Sequence, residues 1–330
     1  MIDRRHFYPH LISLLLVSVV SIAWRVHAAD KLVGLHSAQV MSQSMPWIAQ
    51  EAGLFKKYDL DFQLIFISSS GVATAATLGG DAEIALTGGI GNVRAYVQGA
   101  TDIAFIGGVK NILTHSLLGK SEIKRPEDLK GKRVGVGRIG SNTHYFVVQA
   151  LRRFGMDANK DIQPIQTGGG PETLAALVSG GLDAAAMTAP ADVRAVAQGY
   201  RFVINGPELR IPYAATSFVT LRSLLNKRGL VFGRFMRVMA EASRILHTDK
   251  PFVYKVLRKY LRVTDTKILD ASYQSESPAL EQRLEIRESA LQATLDEIAQ
   301  SDPRAKSVKP QELIDRRYLI DLEKSGVFGK

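Results

Sequence analysis

Short apolar runs alternate with polar loops along the chain from about residue 32 onward. The runs at 32–35 and 62–67 each have the length of a buried strand. Between them, Pro46 begins a short apolar segment, with Ser44 as candidate N-cap and Gly53 as the stop, which predicts a helix. A strand, a helix and a strand at this spacing predict a parallel sheet, whose ligands bind beyond the carboxyl ends of the strands.

An internal repeat relates two segments that lie 100 residues apart. Residues 75–99 and 175–199 share nine identities in 25 positions without a gap, and Glu83 lies opposite Asp183. The first members of the identical pairs are Ala75, Ala76, Gly80, Ala85, Val93, Arg94, Ala95, Gln98 and Gly99. Each segment has the pattern of a helix, a strand and a second helix. A solenoid would need more copies of a shorter unit, so the repeat predicts two similar lobes.

The pattern becomes helical beyond about residue 220. Within 231–246 the apolar residues fall on one helix face and the basic residues on the other. Further helical stretches are expected near 252–260, 280–298 and 310–324. We expect these helices to pack on the first lobe, so that the second lobe is an insertion within it.

The first 28 residues have the pattern of a signal peptide. Arg4 and Arg5 form a basic head, 11–24 is apolar, and small residues precede a cleavage point after Ala28. The apolar run has 14 residues, whereas about 20 are needed to span a bilayer. The twin arginines fit either of two export routes. With no cysteine for lipid attachment, we expect a mature protein that begins at residue 29 and is free in the periplasm.

Composition excludes several classes of function. The chain has 330 residues, of which 46% are hydrophobic, and this suits one large or two ordinary α/β cores. Its formal charge of +10 comes from basic residues interleaved with acidic ones, and no aromatic and basic stretch predicts nucleic-acid binding. The absence of cysteine excludes disulfides, thiol catalysis and cysteine-ligated metals.

Several segments resemble motifs of one family. They are AQEAGLFKKYDL at 49–60, GDAEIA at 80–85, PEDLKGKRVGV at 126–136, GGLDAA at 180–185, and Leu313, Ile314, Asp315 and Tyr318 near the end. These segments are similar to the nitrate, sulfonate and taurine class of ABC-transporter substrate-binding proteins, and to relatives that bind thiamine-precursor pyrimidines. Glu83 stands where aspartate is commoner in that family. The resemblance covers nearly the whole chain after residue 28.

The resemblance implies an α/β fold of the type II periplasmic-binding-protein class, in which two lobes close on a ligand. Each lobe would be a mainly parallel sheet flanked by helices. Lobe I would comprise 29–118 plus 221–330 and lobe II 119–220, with crossing segments near 115–118 and 213–221. The implied partners are a small-molecule ligand and an ABC permease with its ATPase, and we expect a monomer. The alternative is that the protein delivers its ligand signal to a periplasmic sensor instead of a permease.

Loops that follow strands hold the candidate ligand-binding residues of the first lobe, because ligands of such sheets bind at strand ends. These residues are Ser42, Ser44, Met45, Ser69, Ser70, Thr87, Gly88 and Gly89. Ser44 as a helix cap, and Ser69 and Ser70 as a turn, are the alternatives. Glycines at 88 and 89 permit close approach of the backbone to a ligand.

The second lobe has its own candidates, again in loops that follow strands. They are Arg138, Ser141, Asn142, Thr143, Gly169, Thr188, Pro190 and Asp192. The turn at 140–143 begins a helix, so its free backbone amides and hydroxyl groups suit an anion. A plain helix cap is the alternative for Ser141, and Arg138 either supplies charge or faces water. Asp192 either binds an amine or caps a helix, the commoner role.

Motifs of enzymes are missing from the sequence. The glycine run at 168–170 lacks the spacing of a dinucleotide fingerprint and the Gly-Lys-Ser of a phosphate loop. No nucleophile elbow occurs, and no two histidines have the spacing of metal ligands. A fungal pyrimidine-forming synthase resembles the family but depends on cysteine-rich iron-binding residues. The sequence therefore predicts a binding protein with no cofactor and no metal, and the resemblance implies that its ligand is a small anion or a heteroaromatic molecule.

Overall fold

The computed structural model of the protein describes residues 28–328. Within them the strands are β1 Asp30–His36, β2 Leu60–Phe66, β3 Ile84–Thr87, β4 Ile103–Ile112, β5 Ser116–Gly119, β6 Arg133–Gly135, β7 Gln163–Ile165, β8 Ala184–Met187, β9 Arg201–Ile204 and β10 Pro212–Leu221. The helices are α1 Met45–Glu51, α2 Leu54–Lys57, α3 Ser70–Gly79, α4 Gly89–Val97, α5 Asn142–Arg152, α6 Ala158–Asp161, α7 Gly170–Val178, α8 Ala191–Ala197, α9 Gly206–Leu209, α10 Arg222–Thr248, α11 Lys250–Leu261, α12 Thr266–Glu276, α13 Glu288–Ile298, α14 Pro310–Leu313 and α15 Arg317–Ser325. The predicted signal peptide, with Arg4 and Arg5, lies outside the described residues apart from Ala28.

The first sheet has the strand order β2-β1-β3-β10-β4. β1 is parallel to β2 and β3, and β10 is antiparallel to β3 and β4. The sequence of β3 is Ile-Ala-Leu-Thr, and all four residues are buried, as suits a central strand covered on both faces. All strands of this sheet except β10 share one direction, which confirms a mainly parallel sheet.

The second sheet repeats this arrangement with the order β7-β6-β8-β5-β9. Its antiparallel strand is β5, which pairs with β8 and β9. The internal repeat corresponds to α3, β3 and α4 in one lobe and to α7, β8 and α8 in the other. Gly80 and Gly180 follow the equivalent helices with φ of 84° and 81°, a conformation that favours glycine. The protein therefore has the expected two-lobed α/β fold.

The two crossings between lobes begin earlier in the chain than the predicted segments. Most of 115–118 belongs to β5 of the second sheet, and 213–221 belongs to β10 of the first. The chain changes sheet between β4 and β5 and again between β9 and β10, so both changes come earlier than the expected boundaries at 118 and 220. A buried extended segment has the same apolar pattern whether it is a strand within a sheet or a link between lobes. The sequence therefore did not distinguish a strand from a link.

The C-terminal third packs on the first lobe, and one of its helices differs from the prediction. Phe232 and Phe235 of α10 share a core with Leu32 of β1. The helix predicted at 280–298 begins only at α13, because the preceding residues pair with β4. Gly108 N donates to Leu284 O at 2.7 Å. Pairing with a sheet thus overrides local helical periodicity in this stretch.

A second core joins the two lobes. Tyr145 and Phe146 of α5 belong to the same cluster as Tyr213 of β10. The rings of Tyr145 and Tyr213 stack with 4.4 Å between centroids. None of the helices in residues 28–328 combines the length and the apolar character needed to cross a bilayer.

Candidate ligand-binding cavity

A cavity of about 210 Å³ lies between the two lobes. Its walls come from the loops after β1, β2, β6, β7 and β8, together with residues of β4 and β10. The carboxyl ends of parallel strands from both lobes therefore face one space, which is where ligands bind in open α/β sheets.

Ten of the sixteen predicted site residues line this cavity. They are Ser42, Ser69, Ser70, Arg138, Ser141, Asn142, Thr143, Gly169, Thr188 and Pro190. Ser69 has a φ of 113°, which a residue with a side chain rarely adopts, and such strain is common at binding sites. The structure brings these residues together, and their contacts with a ligand stay predictions.

The other six predicted residues do not line the cavity: Ser44, Met45, Thr87, Gly88, Gly89 and Asp192. Ser44, Met45 and Thr87 are wholly buried in the first lobe. Ser44 precedes α1, as predicted, but its side chain makes no capping hydrogen bond. The prediction used only the position of a residue after a strand. That criterion did not distinguish side chains that face the cavity from those that face the core.

Gly88 makes room for a contact between the lobes. A Cβ atom at Gly88 would lie 2.3 Å from Asn142 Oδ1. The Asn142 side chain donates to the carbonyl oxygen of Ala215 at 2.9 Å and accepts a bond from the Tyr213 hydroxyl at 3.0 Å. These bonds join α5 of the second lobe to β10 of the first. Gly89 also packs on β10, where its Cβ would be 2.7 Å from that of Ala214.

Three helices begin at the cavity wall, α3 from the first lobe and α5 and α7 from the second. The wall includes Ser69 and Ser70 at the start of α3, 141–143 at the start of α5 and 168–173 at the start of α7. The first amides of a helix have no partner within the helix, and its dipole places partial positive charge at this end. Three such ends around one cavity favour a negatively charged group.

Ser141 combines the two roles that the sequence left open. It is the N-cap of α5, and its Oγ accepts a long bond of 3.5 Å from the amide of His144. The same residue lines the cavity. Ser141 is therefore a helix cap, and it also borders the space where a ligand would lie.

The loop after β1 is held in shape by a side chain that sequence reasoning missed. The Gln43 side-chain oxygen accepts bonds from the amides of Ser37 and Ala38 at 2.8 and 2.9 Å. Beside it, the hydroxyl groups of Ser42 and Thr216 lie 3.0 Å apart. All five residues line the cavity, so this wall of the first lobe is preorganised by hydrogen bonds.

The charged side chains on the cavity wall are Lys110, Arg138, Arg194 and Glu172. Arg138 is exposed and forms no ion pair with any residue in 28–328. Arg194 donates to the carbonyl oxygen of Arg262 at 3.1 Å. Glu172 folds back over the start of α7, so that a Cβ at Gly169 would lie 2.8 Å from its carboxylate. The basic groups outnumber the single acidic one.

A buried ion pair that the sequence did not indicate lies in the first lobe beside the cavity, and it accepts a hydrogen bond from the second lobe. Lys110 of β4 and Glu276 of α12 are 2.9 Å apart, with side chains 3% and 1% exposed. Lys110 also donates to Thr114 at 2.8 Å, and Thr188 of the second lobe donates to Glu276 at 2.8 Å. A lysine within the apolar run of β4 was the one signal available in the sequence; nothing marked Glu276.

Asp192 lies next to this pair at the start of α8. Burial raises the pKa of Asp192 to about 7, and the charge of Glu276 adds to the rise. Burial alone would also raise the pKa of Glu276, but Lys110 and the bonds from Thr114 and Thr188 lower it below its ordinary value. Glu276 therefore carries the negative charge of this cluster, and Asp192 holds a proton well above the usual range of a carboxyl group.

Among residues 28–328, no three histidine or acidic side chains lie close enough together to hold a metal ion. No cysteine is present anywhere in the chain.

Comparisons with known proteins show which family the sequence matches. The model of the family described as NMT1/THI5 like matches residues 44–249, more than half of the sequence. No curated protein matches the sequence of this chain.

Several solved structures share the fold. The alkanesulfonate-binding protein SsuA from Xanthomonas axonopodis pv. citri, bound to MOPS, has a TM-score of 0.73 and 20% identity, over 87% of this chain and 98% of that one. The periplasmic aliphatic sulphonate binding protein SsuA from Escherichia coli has a TM-score of 0.71 and 22% identity, over 88% and 92%. The desulfurization enzyme DSZB has a TM-score of 0.70 and 14% identity, over 90% and 99%.

Proposed function

Since the chain belongs to the NMT1/THI5-like family, we propose that it is the periplasmic solute-binding component of an ABC importer. It captures a small organic anion between its two lobes and delivers it to a membrane permease with its ATPase. The predicted signal peptide supports this location, as does the similarity in fold to proteins described as periplasmic.

The observation that carries the proposal is the meeting of three helix N-termini at one interlobe cavity. Their free amides and aligned dipoles stabilise negative charge without a formal cation, each by about 0.3 to 1 kcal/mol and more when buried. Arg138, on the same wall and without an ion-pair partner in 28–328, supplies a full positive charge. Closure excludes water, so these interactions gain strength in the bound state.

Sulfonates are the first class of ligand to test. Two proteins of the same fold are described as binding alkanesulfonates or aliphatic sulphonates. A sulfonate has three acceptor oxygens and so matches several amide and hydroxyl donors at once. Nitrate, aromatic carboxylates and pyrimidines remain the alternative ligands.

Catalysis is not part of the proposal, although the fold also occurs in a desulfurization enzyme. The chain has no cysteine to act as a thiol nucleophile. No histidine in 28–328 accepts a hydrogen bond from a serine or threonine hydroxyl, as a base that activates such a nucleophile would. Recovery of an unchanged sulfonate after prolonged incubation with the protein is the expected result.

Service to a periplasmic sensor is the other candidate role. It requires the same cavity and the same monomeric protein, and it differs only in the partner that recognises the closed form. Uptake of the ligand by membrane vesicles that contain the proposed permease, with and without this protein, distinguishes transport from sensing.

A thermal-shift screen tests the proposed ligand class. Ligand at 100 times its dissociation constant stabilises a folded protein by about 2.7 kcal/mol. We expect alkanesulfonates to raise the melting temperature, and neutral pyrimidines to leave it unchanged. If only neutral molecules raise it, the anion-binding proposal is wrong.

A further inference from the structure

One buried polar side chain on the cavity wall has no partner in the described part of the protein. His115 lies between β4 and β5, where the chain first crosses between lobes, and it is 8% exposed. His115 is one of the residues that line the cavity. Neither ring nitrogen forms a hydrogen bond with any residue in 28–328, and Nδ1 is wholly buried.

This lack of a partner is unusual for a buried group. The large majority of buried side-chain polar atoms have a hydrogen-bond partner, and leaving one unsatisfied costs about 1 to 3 kcal/mol. The other such atoms in 28–328 are Ser44 Oγ, Thr87 Oγ1, Ser217 Oγ, His247 Nε2 and Tyr318 Oη. None of those residues lines the cavity, whereas His115 does.

The surroundings fix the position of the imidazole. Its ring stacks on Phe146 of α5, with 5.8 Å between the centroids and 25° between the planes. The carbonyl oxygen of His115 packs against Gly206 so closely that a Cβ there would lie 1.5 Å away. A side chain held in this way is preorganised to meet one group of a ligand.

The charges of the side chains beside His115 are balanced. Burial lowers the pKa of His115 to about 3, and the charge of Lys110 lowers it further while Glu276 opposes this effect. His115 is therefore neutral at ordinary pH and offers one donor and one acceptor. Because Glu276 neutralises Lys110, this wall favours an uncharged polar group over a second anionic one.

We propose that His115 is a ligand-binding residue that forms a hydrogen bond with an uncharged hydroxyl or carboxamide group of the ligand. The cavity then selects a monoanion that carries such a group over a purely aliphatic anion. This inference rests on the proposed function, because it assumes that the anionic end of the same molecule is held at the helix N-termini.

Calorimetry with matched probes tests the inference. The probes are hydroxyalkanesulfonates with chains of two to four carbons and the alkanesulfonates of the same lengths. The parent protein should bind at least one hydroxylated probe about tenfold more tightly than its aliphatic counterpart. His115→Phe keeps a ring against Phe146 but removes both nitrogens, and it should lose this preference, so that it binds the two probes of a pair about equally. His115→Gln, which keeps a donor and an acceptor, should retain part of it.

The outcomes distinguish a failure of the proposed role of His115 from a failure of the proposed sulfonate ligand. If the parent binds both series equally, or if His115→Phe keeps the preference, the role of His115 is wrong and the anion site stands. If the parent binds neither series, the proposed sulfonate ligand itself fails.

A spectroscopic measurement keeps the inference testable if His115→Phe does not fold. The imidazole nitrogen resonances of His115 in the parent, assigned by their absence from His115→Gln, should shift with a hydroxyalkanesulfonate and not with the alkanesulfonate. Equal shifts, or none, would overturn the inference.

Discussion

Thr188 of the second lobe donates a hydrogen bond to Glu276 of the first, with 2.8 Å between the two oxygen atoms. Glu276 is wholly buried and paired with Lys110, so the bond connects the lobes through a group whose charge is already balanced. Asp192 follows Thr188 in the chain, and its carboxyl group lies close enough to Glu276 to interact with the charge of that residue. The protonation of Asp192 therefore affects the contact between the lobes.

The first prediction is a pH dependence that comes from Asp192. The pKa of its carboxyl group is about 7 in the folded protein and about 3.9 in an unfolded chain. Between these values the folded state holds a proton that the unfolded state has lost, so the free energy of unfolding falls as pH rises from about 4 to 7. One such proton contributes a slope of at most about 1.4 kcal/mol per pH unit.

Denaturant unfolding at several pH values checks this prediction. Asp192→Asn is uncharged throughout and should lose this part of the slope, whereas Asp321→Asn, at an exposed position, should unfold with the slope of the parent. Identical slopes for the parent and Asp192→Asn would contradict the assignment.

The second prediction concerns the space at Gly88. Gly88→Ala places a methyl group on the Asn142 side chain and should break its bonds to Ala215 and Tyr213. We expect a loss of about 1 to 3 kcal/mol in stability, because buried polar atoms are left without partners. In an Asn142→Ala background the same change should cost much less. Additive costs in the double variant, measured by chemical unfolding, would mean that the two residues do not act as one contact.

The third prediction concerns Glu172, the acidic side chain on the cavity wall. Its negative charge near the start of α7 opposes an anionic ligand. Glu172→Gln should therefore tighten binding of an alkanesulfonate by about 1 kcal/mol, roughly fivefold. Glu122→Gln, an exposed change of the same charge outside the cavity wall, is the control. Unchanged or weaker binding by Glu172→Gln would show that the anion lies elsewhere.

The fourth prediction concerns processing of the N-terminus. Because the apolar run at 11–24 is short and the small residues Val26 and Ala28 precede the cleavage point, the exported protein should begin at Ala29. Mass spectrometry of the protein released from the periplasm checks this. An intact N-terminus recovered with the membrane fraction would contradict both the cleavage site and the proposed location.

The sequence predicted the fold well, because its strongest signals are local or repeated. The offset of 100 residues by itself identifies the equivalent helix, strand and helix units of the two lobes. The sequence placed both crossings between lobes too late in the chain, since β10 has the same apolar pattern as a buried link would have. Local periodicity also extended a helix back to residue 280, where pairing with β4 decides the conformation instead.

The candidate site was predicted at the level of loops and less well at the level of side chains. Loops after strands supplied Ser69, Ser141 and Thr188, which line the cavity. Lys110 and Glu276 are 166 residues apart and meet only through the tertiary structure, so no local pattern indicates them. Which face of a strand end is buried depends likewise on tertiary packing.

The proposed function places an anion against the start of α5, and Ser141 variants test this placement. Ser141→Ala removes one hydroxyl contact and should weaken binding of an alkanesulfonate by about 1 kcal/mol, roughly fivefold. Ser141→Asp keeps a good helix cap but sets a carboxylate against the ligand. Titration calorimetry of Ser141→Asp should show no binding, with the melting temperature of the free protein unchanged. The control Ser121→Asp adds the same charge at an exposed position outside the cavity wall and should bind as the parent does. Binding by Ser141→Asp as tight as that of the parent would contradict the account, because the anion would then be held away from this helix.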